Sequence, residues 1–182
     1  GNSSLEVQAN TDKSWKVYHD PAYSPSIEYL QDVGCSDILN ASLYPWGWEN
    51  LDYNDTDWIE VRTIGRGQPY GYDWILCKRD IPFMEESLLR MNRIRRAEGI
   101  DLPSDFLKGK AELKVPANQK VSLFIDQDFL TTAYPELIVS GGKNSLVKFT
   151  YSEAMFKDGE KANRNEIEGR DVIGFVDKFY PD

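Results

Sequence analysis

Histidine is nearly missing from this chain, cysteine occurs only twice, and no basic excess offsets its acids. The 182 residues include one histidine, two cysteines, and 21 Lys and Arg against 30 Asp and Glu, for a formal net charge of −9. The lone His19, in VYHDP, has no second histidine at a ligand spacing, so a histidine-based zinc site or a Ser-His-Asp triad would have to rest on it alone. Cys35 and Cys77 make neither a CxxC pair nor a metal-finger spacing, which leaves two buried thiols or a single disulfide. The acidic balance repels phosphate backbones and anionic lipid head groups, arguing against nucleic acid and against a membrane surface as partners. No run approaches the ~18 apolar residues of a spanning helix. The opening GNSSLEVQANTDKSW has neither the basic nor the apolar part of a secretory signal. Repeats, low-complexity tracts and Gly/Ser linkers are missing too, so the length fits one domain, residues 1–182.

Aromatic residues, by contrast, make up 13% of the chain, and a hydrophobic share of 41% with 28% charged residues is that of a folding globular protein. Turn-rich segments recur between short aromatic or β-branched runs, the texture of a β-sandwich. Residues 15–18 (WKVY), 57–64 (DWIEVRTI) and 74–79 (WILCKR) read as short strands. In QKVSLFID, Val121, Leu123 and Ile125 alternate with polar neighbours, and in LVKFTYSE, Val147, Phe149 and Tyr151 do the same. A period of two buries one face of each strand. Gly141 and Gly142 stand between ELIVS and this second strand, where a chain reversal needs positive φ, so residues 136–153 are expected to form a hairpin.

MEESLLRMNRIRRAEG fits two periods: Met84, Leu88, Met91 and Ile94 stand near helical spacing, whereas Leu89 and Met91 alternating with Arg90 and Asn92 suit a strand. Its cluster of Arg90, Arg93, Arg95 and Arg96 reads as a solvated face balancing local acids rather than an anion site. GRGQPYG, residues 65–71, lacks the Lys-Ser/Thr of a phosphate loop and is read as a plain loop. The 30 acidic residues contain many possible carboxylate pairs, none singled out by the sequence, so no catalytic residue is assigned.

The densest aromatic stretch is YPWGWENLDYNDTDW, residues 44–58, with three tryptophans, two tyrosines and four acids. Trp46 and Trp48 flank Gly47 in a turn-rich segment. An exposed indole there would stack on the C–H face of a sugar while neighbouring polar groups take its hydroxyls; the alternative is that the rings pack into the core or against a neighbouring domain.

Several stretches, taken in order, resemble the amino-terminal β-sandwich module of bacterial α-L-rhamnosidases of the Bacteroides type. NTDKSWKV is similar to the opening TD-x-S-W strand of that module, SDILNAS stands where it has a G-E-x-Y-D-A-R-like stretch, and WENLDYNDTDW resembles its W-x-x-P-x-[FY]-D-D-S-x-W. LIVSGGKNSLVKFTYSEAMFKDGEKANRNEIEG resembles its V-x-G-x-x-G hairpin with the following loop, and VDKFYPD its D-x-[YF] segment. Asp37, Asn40 and Ser42 depart from the Glu, Asp and Arg usual there.

The resemblance implies an all-β, jelly-roll, galactose-binding-like sandwich, and an extended Leu88–Arg96. It implies a non-catalytic fragment of a periplasmic or extracellular hydrolase, lacking the module's closing strand and the (α/α)6 barrel that carries the acid and base. In such a jelly roll Trp58 and Trp15 pack between the sheets. The implied partners are a rhamnose-containing carbohydrate and the catalytic domain of the same parent chain. Trp46, Trp48, Asp37 and Asn40 are the candidate sugar contacts. Asp37 and Asn40, with Asp52 and Asp55, offer hard oxygens of the kind calcium prefers, so the cofactor expectation is none or calcium. Glu153, placed on a strand, and Arg164, Asn165 and Glu166 in the NRNEIEG loop are read as bracing that loop against a neighbouring domain. The alternative function is a purely structural domain supporting the barrel, with no sugar site.

Overall fold

The computed structural model describes residues 11–31, 34–62 and 78–182. Among the described residues there are eleven strands, one 3-10 turn and no α-helix, so the fold is all-β. The strands are β1 (Lys16–Val17), β2 (Tyr23–Gln31), β3 (Gly34–Asn40), β4 (Ile59–Glu60), β5 (Arg93–Glu98), β6 (Ser122–Asp126), β7 (Val147–Tyr151), β8 (Met155–Lys157), β9 (Glu160–Ala162), β10 (Asp171–Val172) and β11 (Phe175–Tyr180). The chain divides into two compact units: Gly1–Pro21 with Tyr44–Glu86, and Ala22–Leu43 with Ser87–Asp182.

In the second unit the largest sheet has the order β2-β3-β11-β7. β2 and β3 are antiparallel, β11 runs parallel to β3 with Lys178 opposite Ile38 and Tyr180 opposite Asn40, and β7 runs antiparallel to β11. Period-two patterning holds in the first part of β7, where Val147 and Phe149 are half-buried and Lys148 is exposed, while Thr150 and Tyr151 are both half-buried. Phe149 and Tyr151, two apart on one face, stack with centroids 6.3 Å apart. β11 comes so close to the end of β7 that a Cβ on Gly174 would lie 1.8 Å from the Tyr151 carbonyl oxygen, a place only glycine can occupy.

Among the described residues the buried hydrophobic ones are Ala22, Ala41, Ala154, Met155, Ile167 and Val176, all in this unit. Ala41 opens the 3-10 turn Ala41–Leu43 that ends β3, and Asn40 N–H donates to the Ala22 carbonyl at 2.9 Å to close the β2–β3 pair. A second sheet, β10-β8-β9, contains a tight hairpin in which Lys157 pairs with Glu160. Asp158 and Gly159 between them both have positive φ, at 52° and 84°, as a two-residue type I′ connection requires.

β5 and β6 form an antiparallel pair, so the Arg-rich segment is extended from Arg93 onward and the helical alternative does not form. Its ladder shifts between Ile94 and Arg96, leaving Arg95 without a partner across the pair. A bulge of this kind re-aims a side chain.

The first unit holds the β1–β4 pair, with Lys16 opposite Glu60 and Val17 opposite Ile59. Trp58 stacks on Tyr18 at 5.3 Å and meets Tyr53 edge-on at 5.9 Å, while Lys16 Nζ bridges to Asp55 Oδ1 at 2.8 Å.

Several expectations need correction. The strand expected over 15–18 shortens to two residues and that over 57–64 to Ile59–Glu60, with 63–64 outside the described residues; 74–77 also lie outside them. The hairpin over 136–153 does not form. Its turn is present, with Gly141 and Gly142 at positive φ and Ser145 N–H donating to Gly142 O at 2.8 Å, but β7 pairs with β11 and residues 131–140 carry no strand. Leu137, Ile138 and Val139 are a continuous apolar run, which needs cover on both faces rather than one. Glu153 lies in an exposed bend after β7 rather than on the strand. Trp15 is exposed and Trp58 half-buried, because the two-residue strands beside them offer little surface to pack against. Cys35 is a free, exposed thiol, since it follows Gly34 at the start of β3 rather than facing the core; Cys77 lies outside the described residues.

Candidate functional site

In the first unit the aromatic stretch folds as a run of turns. Trp46 N–H donates to Tyr44 O (2.8 Å), Trp48 N–H to Pro45 O (3.1 Å), and Asn50 N–H to Gly47 O (2.9 Å), with Gly47 at φ 80°. This curl brings the three rings of the YPWGW segment together. The Tyr44 ring meets Trp46 edge-on at 4.8 Å, and its hydroxyl accepts the indole N–H of Trp48 at 3.0 Å. Trp48 is thereby oriented by a hydrogen bond, yet Trp46 and Trp48 remain 59% and 50% exposed. Two indoles held on one turn with open faces can stack against the C–H face of a flat, partly apolar ligand.

The nearby acids and amides have mostly local duties. Asn54 Oδ1 accepts from the Thr56 N–H (3.1 Å) and hydroxyl (2.5 Å), an Asx turn leading to Trp58, and Asp55 is held by Lys16. Asp52 is exposed.

Asp37 and Asn40 belong to the second unit, so the four candidate sugar contacts are divided two and two between the units. Asp37 is exposed, and its N–H donates to Asp177 Oδ1 at 2.9 Å. Asn40 Oδ1 accepts from both the N–H (3.2 Å) and the hydroxyl (2.7 Å) of Ser42, so its amide N–H2 is the group left to meet a ligand. Asn40 lines a depression of about 190 Å³ with Ser42, Lys143, Asn144, Tyr180, Pro181 and Asp182. The parallel pairing of β3 with β11 puts Tyr180 beside Asn40, and the 141–145 turn forms a wall, the Gly142 Cβ position lying 3.4 Å from Pro181. A phenol ring among amide, hydroxyl, ammonium and carboxylate groups is a small polar-aromatic hollow, suited to one ring of a hydroxylated ligand.

Calcium needs six to eight oxygens. Asp37 and Asn40 supply too few, Asn40 Oδ1 is already engaged, and among the described residues no three His, Cys, Asp or Glu side chains converge as a metal site. The residues as placed do not fit that ion.

The loop residues make a third cluster, in which Arg93 and Arg95 from β5 both reach Asp126 Oδ2, at 3.0 and 2.8 Å. Arg93 also bridges to Asp128 (2.8 Å), to which the Asn92 amide is hydrogen-bonded as well. Arg95 donates onward to the Asn165 carbonyl (2.8 Å), and Arg164 donates to the Asp128 carbonyl (2.7 Å). Asp128 N–H donates to Asp126 Oδ1 at 2.8 Å, and this bond, with the guanidiniums of Arg95 and Arg93, lowers the Asp126 pKa to about 2 against the opposing effect of burial. Glu166 instead bridges to Arg170 at 2.7 Å, and buried Ile167 anchors the loop between them. Arg164 and Asn165 thus tie the 163–170 loop to the β5–β6 pair of their own unit, while Glu153 takes no part in the cluster.

The sequence pointed to Trp46, Trp48 and Asn40 but missed Tyr44, Tyr180, Asn144 and Lys143. Tyr44 had a signal, its place in the same aromatic run; Tyr180 had none, being joined to Asn40 only by strand pairing. No family model, curated protein or solved structure matches this chain.

Proposed function

We propose that this chain is a non-catalytic, carbohydrate-binding accessory module of an α-L-rhamnosidase-like glycoside hydrolase. Its all-β architecture is read as a jelly-roll, galactose-binding-like sandwich. The observation that carries the reading is the Trp46–Trp48 turn, where two half-exposed indoles are fixed by Tyr44 instead of being sunk in a core. The hollow at Asn40 and Tyr180 is a second, smaller place for a sugar ring. The ligand is a rhamnose-containing glycan of plant type, met outside the bacterial cytoplasm, and the chemistry of hydrolysis belongs to a catalytic domain of the same parent protein. These particulars rest on the ordered likeness of TDKSW, WENLDYNDTDW and GGKNSLVKFTYSE to that family's module.

One observation favours a supporting role instead: the 131–140 segment displays Tyr134 and Ile138 at 87% and 94% exposure, an apolar surface of the kind a neighbouring domain covers. Titration with L-rhamnose, with and without calcium, separates the readings. Quenching or a shift of tryptophan emission that disappears in Trp46→Ala or Trp48→Ala supports sugar binding; its absence at saturating sugar supports the scaffold. Turnover of an aryl α-L-rhamnoside by the purified chain, abolished by one carboxylate substitution, would overturn both.

A further inference from the structure

The second unit contains a groove of about 710 Å³ between the approach to β5 and the 102–110 segment. Its apolar surface comes from Met91, Ile94, Leu102, Pro103 and Leu107, and its ionic groups are Arg90, Lys108 and Lys110. No carboxylate lines it, although the whole chain carries a formal net charge of −9. Lys108 is matched by Asp105 at 2.8 Å, whereas Arg90 and Lys110 have no acidic partner among the described residues.

Arg90 is also positioned. The 103–110 segment is a series of turns, with Phe106 N–H donating to Pro103 O (3.0 Å), Gly109 N–H to Phe106 O (2.9 Å) and Lys110 N–H to Asp105 O (3.2 Å). Gly109 has φ 68°, and a Cβ there would stand 2.6 Å from the guanidinium carbon of Arg90. The guanidinium rests against bare backbone that any other residue would cover.

We infer that this groove binds a monocarboxylate with an apolar body, its carboxylate taken by Arg90 with Lys110 beside it and its body laid over Met91, Ile94, Leu102 and Leu107. The groove is open along one side, its walls formed by exposed and half-buried residues, so it would take a ligand along one face, with the aliphatic side chains meeting an apolar body and Arg90 and Lys110 supplying positive charge. A guanidinium fork matches a carboxylate in two parallel hydrogen bonds. A free sugar suits the groove poorly, because its hydroxyls would be desolvated against aliphatic side chains with no aromatic face to stack on. The residues are not those of the sugar reading, so the two stand or fall separately.

The test is calorimetric titration with phenylbutyrate, with phenylbutanol as its uncharged counterpart, and amide-shift mapping of the bound site. The acid should bind at least about tenfold more tightly than the alcohol, as charge-assisted pairing requires. Its shifts should centre on residues 90–94 and 102–110. Arg90→Gln and Lys110→Gln should each weaken the acid by about fivefold or more without changing the alcohol's affinity. Gly109→Ala, which displaces the guanidinium, should act like Arg90→Gln. Equal affinity for acid and alcohol, shifts centred elsewhere, no binding of the acid, or unchanged affinity in Lys110→Gln and a folded Arg90→Gln would each overturn the assignment. If Arg90→Gln does not fold, the exposed Lys110 decides by the same measure.

Discussion

Tyr180 stands directly opposite Asn40 in the parallel pairing of β11 with β3, and both residues line the same hollow. Their proximity separates a structural from a ligand-binding role. Asn40 Oδ1 holds two hydrogen bonds from Ser42, so Asn40→Ala should cost about 0.5–2 kcal/mol in denaturant unfolding, as does losing a comparable capping side chain. Tyr180→Phe keeps the ring and should leave stability within about 0.5 kcal/mol. A loss of rhamnose affinity in Tyr180→Ala, retained in Tyr180→Phe, would mark the ring as a stacking surface.

Trp46→Ala should abolish sugar binding while changing the free energy of unfolding by about 1 kcal/mol or less, because more than half of its ring is in water and its edge contact with Tyr44 is a small loss. Binding by stacking without a deep pocket is weak, with a Kd on the order of 0.1–1 mM. Fluorescence titration beside thermal unfolding checks both halves.

Trp58→Ala should do the opposite. Its ring lies between Tyr18 and Tyr53 and is half-buried, so truncation should cost about 1.5–3 kcal/mol, below the 3–5 of a fully buried tryptophan. Denaturant melts of the two variants side by side give the comparison; equal losses for Trp46→Ala and Trp58→Ala would make the cluster a core.

The Asp126 pKa of about 2 lies below the ordinary carboxylate value near 4, so its ionised form is favoured by folding. The resulting stability, on the order of 1–2 kcal/mol, is fully present above about pH 4 and is lost as pH falls through 2. Asp126→Asn should therefore be less stable than the parent chain at pH 7, and the gap should close toward pH 2. Urea unfolding at three pH values would show it, and a gap independent of pH would rule the linkage out.

Gly174→Ala should be among the most damaging single changes, costing more than about 3 kcal/mol or preventing folding. Its Cβ would sit 1.8 Å from the Tyr151 carbonyl oxygen, and relief requires moving β11 away from β7. Soluble yield and a thermal melt are enough to test it.

What could be read in advance follows the range of each interaction. The all-β class and the strands at 122–126 and 147–151 come from alternation between neighbours, which is local. The turn at Gly47 is local too, but whether Trp46 and Trp48 stay exposed or pack away depends on what surrounds that turn, and the sequence left both outcomes open. Asp158-Gly159 carries an equally local hairpin signal, but the expectation of a loop after the 136–153 hairpin left it unused, and the β8–β9 hairpin was missed. The partner of β7 was not local: the segment preceding its turn was the natural choice, and β11, more than twenty residues onward, took the place. The same is true of Tyr180 with Asn40, and of Asp126 with Arg93 and Arg95, contacts that only strand order and a bulge create.

The central place of β11 also governs the order in which the largest sheet is made. β3 and β7 are not neighbours; each is joined to the sheet's middle through Phe175–Tyr180, a strand the ribosome delivers more than twenty residues after β7 and well over a hundred after β3. Until it arrives, β2 and β3 are a lone hairpin and β7 a strand without a sheet, each with open edges that invite pairing with other chains. Contacts this distant along the chain are slow to form, since loop closure must precede any gain from pairing. Synthesis that stalls before residue 175 would leave a product prone to aggregate, and refolding from denaturant would be limited by the docking of this last strand.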